Sequence, residues 1–197
     1  MWVRTTEHTP RPEAGQHAQR GFQVTRTDAG GEVVELWGPL EAGWADPLFR
    51  GLSRAGLSIR RGFALRIPDP VPVWHTRFEL ERDEQSTDPL LLDYLELVAR
   101  GRTPGRAPIR LSGYELSQSD RHGGSLRVQL RGPDRIGFLG GVLERLSFLG
   151  LIPVEMRIET HEDGVDDTFF VRTGEGTVPS EATRKLLAEI LDGRLLR

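Results

Sequence analysis

Apolar and polar residues change their spacing in a fixed order along this chain, and the same order is met twice. Phe22 and Val24 alternate with polar neighbours, Asp28-Ala29-Gly30-Gly31 interrupts them, and Val34 and Leu36 resume, which predicts a β-hairpin. Later, Tyr114 and Leu116 alternate, Asp120-Arg121-His122-Gly123-Gly124 turns the chain, and Leu126, Val128 and Leu130 alternate again. Each hairpin runs into a Gly-Pro turn, and the period then lengthens to that of a helix. Leu139, Val142, Leu143, Leu146 and Leu149 form one stripe that stops at Gly150, while Trp44, Leu48, Leu52 and Ala55 form another that stops at Gly56. Pro47 is tolerable only in an opening turn, so Asp46 is expected to cap a somewhat shorter first helix.

Both helices lead into strands, Leu57–Ile67 and Leu151–Thr160. Val154, Met156 and Ile158 alternate with Glu155, Arg157 and Glu159 in the second of these. After a loop (Pro68–Pro72; His161–Val165) another strand follows, with Trp74, Thr76, Phe78 and Leu80 in phase in one case and Phe169 and Val171 in the other. The loops differ in length, so the register between these last strands is not set by the sequence. Each unit closes with a helix. Asp88 is expected to cap the first, with Leu91, Leu92, Leu95 and Val98 inward; Ser180 caps the second, with Leu186, Leu187, Ile190 and Leu191 inward.

The punctuation of the two units superimposes at one offset. Gly38 and Gly132, Pro39 and Pro133, Gly43 and Gly137, Leu52-Ser53 and Leu146-Ser147, and Gly56-Leu57 and Gly150-Leu151 are each 94 positions apart. The chain therefore reads as a duplicated unit: a flexible tail at 1–20, a first repeat at 21–100, a linker at 101–111 rich in Gly, Pro and Arg, and a second repeat at 112–197. Each repeat, hairpin–helix–strand–strand–helix, implies an α+β fold. The expected form is a four-stranded antiparallel sheet with both helices on one face, a permuted ferredoxin-like plan in which the leading hairpin strand fills the slot of the usual last strand.

Here the residues resemble a known family. The run GPDRIGFLGGVLERLSFLGL looks like the strand-turn-helix signature of the ACT domain, with Asp134, Arg135, Gly137, Phe138 and Leu139 in matching places and Ile136 where that family has proline. Asp167-Thr168-Phe169-Phe170-Val171 resembles a later strand of the same family. The segment before, SQSDRHGGSLRVQL, is similar to the approach to the C-terminal ACT domains of the enzymes that uridylylate the nitrogen-regulatory protein PII. The first repeat keeps only Gly43 of the turn, in Leu40-Glu41-Ala42-Gly43.

This resemblance implies two ACT repeats paired side by side, and a regulatory module of nitrogen metabolism that binds a small ligand, an amino acid above all. Its ligand would sit at the strand-to-helix turn and the inter-repeat interface, and would modulate binding of a protein partner. The ligand-binding residues expected on this basis are Gly132, Asp134, Arg135, Ile136, Gly137, Phe138 and Leu139, with Gly43 as the counterpart in the first repeat. Asp134 has two readings, a contact for an amino group or a cap for the helix it precedes. The alternative function is that of a regulator acting mainly by protein contact, like the two-ACT glycine cleavage repressor. The tandem chain supplies both halves of the pair itself, and a homodimer is also open.

Bulk properties narrow these readings. A net charge of −3 over 197 residues argues against a nucleic-acid binder. With no cysteine, disulfides and thiol chemistry are excluded. No apolar run reaches the ~18 residues of a membrane span, and no signal-peptide layout opens the chain, so a soluble cytoplasmic protein is expected. The cluster His161, Glu162, Asp163, Asp166 and Asp167 is too underspecified for a metal site and reads as a solvated loop. No catalytic or dinucleotide motif occurs, so neither an enzyme nor a cofactor is expected, and the catalytic activity of the uridylylating enzymes does not transfer.

Overall fold

The computed structural model describes residues 5–7, 19–28, 30–68, 71–82, 85–100, 109–135 and 137–194. The first half contains β1 (Thr5–Glu7), β2 (Gly21–Arg26), β3 (Glu32–Gly38), α1 (Ala45–Arg54), β4 (Leu57–Ile67), β5 (Val73–Arg82) and α2 (Tyr94–Ala99). The second contains β6 (Gly113–Ser119), β7 (Ser125–Gly132), α3 (Phe138–Phe148), β8 (Leu151–His161), β9 (Gly164–Thr173) and α4 (Glu181–Leu191). The strands form one antiparallel sheet in the order β1-β2-β3-β5-β4-β8-β9-β7-β6. The order β2-β3-β5-β4 is mirrored by β8-β9-β7-β6, an arrangement compatible with repeated ferredoxin-like units.

The join is the antiparallel pairing of β4 with β8, in which Arg61, Gly62, Phe63, Ala64 and Leu65 face Glu159, Ile158, Arg157, Met156 and Glu155. Phe63 and Arg157 are 94 positions apart, so equivalent positions meet at its centre. The bulges obey the same relation: the register slips at Arg60 in β4 and at Val154 in β8. Above the sheet, α1 lies against α3, and Arg50 donates to Asp46 at 2.7 Å and to Glu144 at 3.4 Å. Arg50 and Glu144 are again equivalent positions.

Strand pairing supplies the register that sequence leaves undetermined. Phe78 pairs with Val34 and Gly62, and Phe169 pairs with Val128 and Met156. Phe78 and Phe169 are therefore counterparts, and so are Thr76 and Asp167, and Trp74 and Val165. The shift comes from the hairpin loop, residues 68–72 in one half and only Glu162-Asp163 in the other. The helix-facing side of the strands and the inner faces of the helices make a single core that includes Phe22, Val34, Leu48, Phe78, Tyr94, Val128, Leu146, Met156, Phe169 and Leu187. Burying each such side chain contributes on the order of 1.5–3 kcal/mol. The opposite face carries ion pairs such as Arg77–Glu35 and Arg131–Asp166.

Three expectations are corrected. Asp46 does not cap α1: the helix begins at Ala45 behind Trp44, and the buried Asp46 pairs with Arg50 one turn on. Asp88 caps only a 3-10 turn, Pro89–Leu91, by accepting from the Leu90 N–H. The helix proper restarts at Asp93, whose side chain accepts from the Glu96 N–H, and the phase resets. Tyr94 and Leu97 are consequently buried, whereas Leu91 is 79% exposed. Ser180 does cap α4, by accepting from Thr183, but Leu186 faces outward. Of the segment read as a tail, Thr5–Glu7 pairs with β2, where an edge strand offers unpaired backbone groups. Residues 1–4, 8–18 and 101–108 lie outside the described residues; Ile109 and Leu111, at the end of the expected linker, pack on the core. Among the described residues no helix is long and apolar enough to cross a membrane.

Met156 is 1% exposed and faces Ala64 across the join, so its truncation tests whether the halves fold as one. Met156→Ala is expected to cost about 2–5 kcal/mol, with a single denaturant transition seen by probes in both halves. Two separated transitions, with the first half unaffected, would show that the join is not cooperative.

Candidate functional site

The turn from β7 to α3 begins at Gly132, whose buried backbone packs against Arg110 and Gly164 and leaves no room for a side chain. Pro133, Asp134 and Arg135 then run over the surface. Gly137 has φ +86°, a conformation an L side chain adopts only at a cost of about 1–2 kcal/mol. It is the N-cap of α3, and among the described residues no side chain caps the helix. Asp134 is therefore not the cap, which removes one of its two readings. The uncapped first turn presents N–H groups and the positive end of the helix dipole, a place suited to a carboxylate or another anion.

This turn opens onto a cavity of about 400 Å³. Asp134, Arg135, Gly137, Phe138, Leu139 and Gly140 form one wall. Ile158 and Thr160 of β8 and Val165 and Asp167 of β9 line it from the sheet. The facing wall belongs to the other half of the chain: Phe49, Leu52 and Ser53 of α1, Gly56 to Ile59, and Glu81 with Arg82 at the end of β5. Five of the expected residues, Asp134, Arg135, Gly137, Phe138 and Leu139, are thus brought together. Gly132 is adjacent but does not line the cavity, and Ile136 lies outside the described residues. Gly43 lines a different cavity.

That second cavity, about 230 Å³, is the counterpart of the first. Gly43, Trp44, Ala45 and Asp46 form one wall, and Leu143, Ser147 and Gly150 to Pro153 form the other. Trp44 stands in the place of Phe138 and Trp74 in that of Val165, and their rings meet edge to face at 5.2 Å. Two indoles take up space that the first cavity leaves open. Asp46, in the place of Gly140, spends its charge on Arg50.

Asp167 is the residue that sequence reasoning misplaced. Its acidic neighbours suggested a solvated loop, yet the carboxyl is 0% exposed. Oδ1 accepts from the Glu159 N–H at 3.2 Å, and Oδ2 has no partner among the described residues. Burial pushes this carboxyl up to about 8, against the Glu159 N–H, with the nearby charges of Asp166, Asp134 and Glu159 adding to the rise. The signal was its phase with Phe169 and Val171, which share its face. Asp166 points to the other face, bonded to Gln129 and Arg131. The acidic residues are thereby split between faces, and no group of three or more metal-ligating side chains occurs among the described residues.

A third cavity, about 670 Å³, crosses the join on the face away from the helices. Glu155 is its buried acid, held by Arg121 at 2.7 Å, Arg157 at 2.8 Å and His122 at 2.9 Å. Burial pushes its carboxyl up, but the His122 and Arg157 hydrogen bonds and the Arg157 and Arg121 charges outweigh that and hold it below the ordinary value. Every partner is internal, which makes this cluster a fastening between the β6–β7 turn and β8.

Asp167 gives the fold a pH dependence of definite sign. The folded state retains a proton that the unfolded chain releases above the ordinary value of 3.8, so this residue's contribution favours folding most below about pH 4 and is lost as pH rises to about 8. Asp167→Asn should therefore gain on the wild type through that window, by on the order of a few kcal/mol at 1.4 kcal/mol per unit. Denaturant curves at pH 5 and pH 8 measure it, and an unchanged difference between the two proteins would show that Asp167 is not held protonated.

No protein-family model matches the chain, and no curated protein or solved structure does either.

Proposed function

We propose that this chain is a regulatory small-molecule-binding protein built of two ACT-like repeats, and that the 400 Å³ cavity beside Gly137 takes its ligand, an amino acid, whose occupancy modulates contact with a protein partner. One observation carries the reading: of two equivalent cavities, one is about 400 Å³ and rimmed by Asp134 and Arg135, whereas the other is narrowed to about 230 Å³ where Trp44 and Trp74 stand. Packing alone would favour filling both. The open cavity combines an uncapped helix N-terminus, suited to a carboxylate, with Asp134 at its rim, suited to an ammonium group. Its walls come from both halves, so a seated ligand would bear on their relative placement. The coupling to a partner would be reciprocal, each binding event changing the other's affinity by the same factor.

Isothermal titration against the twenty amino acids tests this reading. The expected outcome is one ligand per chain for at least one of them, with Asp134→Ala weakening it about tenfold, the loss of one charged contact of about 1.4 kcal/mol. Two ligands per chain would mean that the narrower cavity beside the tryptophans also binds. Silence across the panel would turn the reading to a regulator acting by protein contact alone.

A further inference from the structure

Asp167 is costly where it stands, and the other half of the chain shows that the fold does not require it. Its counterpart Thr76 occupies the same column of the sheet, opposite Leu36 as Asp167 is opposite Leu130. The Thr76 hydroxyl is fully used there: it accepts from the Leu36 N–H at 3.1 Å and donates to the Leu36 carbonyl at 3.3 Å. A hydroxyl thus fits the site and satisfies itself. A carboxyl at this position instead leaves Oδ2 buried and without a partner among the described residues, on a residue that borders the ligand cavity. The charges that bear on it most are acidic, Asp166, Asp134 and Glu159, and no ion pair to it occurs among the described residues.

Given the ligand site argued above, on which this step rests, we propose that Asp167 holds the ammonium end of the ligand at the cavity wall, while the carboxylate end meets the first turn of α3. The unpartnered Oδ2 accepts an N–H from the ligand. In the empty protein the carboxyl carries a proton; as the cation seats, that proton leaves for solvent, and the site passes from neutral acid to ion pair with charge balanced throughout. Selection follows from this arrangement. A ligand lacking the ammonium group gains only the helix terminus and binds more weakly than one that also pairs with the acid.

The test is a carbon-13 NMR titration of the Asp167 carboxyl in the full chain, assigned by its loss in Asp167→Asn. It is recorded alone, with methylammonium chloride, with sodium acetate and with each of the twenty amino acids. Methylammonium and at least one amino acid are expected to lower the titration midpoint by one pH unit or more, and acetate is not. If neither the amine nor any amino acid moves the midpoint, the assignment of Asp167 is overturned. An amino acid that binds by titration calorimetry without moving it overturns the assignment while leaving the ligand site standing. A midpoint lowered by methylammonium with no amino acid bound supports Asp167 as the cation site and instead sinks the amino-acid reading. Asp167→Thr, which installs the residue of the other half, should keep the fold by circular dichroism and weaken any binding amino acid at least tenfold; unchanged affinity counts against the proposal.

Discussion

The antiparallel contact of β4 with β8 is the interaction on which the rest of the molecule depends. It turns two short sheets into one, sets α1 against α3, and creates each cavity by placing the end of one half's first helix opposite the turn of the other's. The residues at its centre make the contact selective for unlike halves. Phe63 faces Arg157 across the strands, and Arg50 reaches Glu144 across the helices. A pair built from two copies of the second half would oppose Arg157 to Arg157 and Glu144 to Glu144. Like charges facing one another are destabilising, so the residues at these two positions favour the unlike pair.

Divergence at the cavities runs in the opposite sense. The positions correspond, but the first half has more bulk, with Trp44 and Trp74, and only Glu41 as a charge on the turn. The second has Asp134 and Arg135 on the turn, and Asp167 where the first half has Thr76. One cavity is narrowed by packing, which stabilises the shared core, while its twin has more space and an acid, Asp167, with no ion pair among the described residues.

Much of the architecture was legible because it rests on local alternation. Leu126 to Leu130, the stripe from Leu139 to Leu149, and the glycines at both ends of α3 act over a few residues, and the structure follows them. Where local signals competed, expectation failed. Asp93 is as good a cap as Asp88, and the choice between them reset the phase of α2 and buried Tyr94. The acidity of residues 161–167 obscured the period-two placement of Asp167, because alternation divides Asp166 from Asp167 between opposite faces. The turn residues of the candidate site could be named in advance because they are contiguous. The wall formed by Gly56 to Ile59, Glu81 and Arg82 could not, since its position depends on a register set between strands nearly a hundred residues apart.

Carrying both walls of the cavity on one polypeptide has a consequence for how such a site behaves. In a dimer of single repeats the cavity would exist only to the extent that the subunits associate, and its occupancy would change with protein concentration. Here the second wall is supplied at a fixed effective concentration by the connecting chain. The cavity is then equally formed in dilute and in concentrated solution, and the occupancy proposed for it would track the ligand rather than the abundance of the protein.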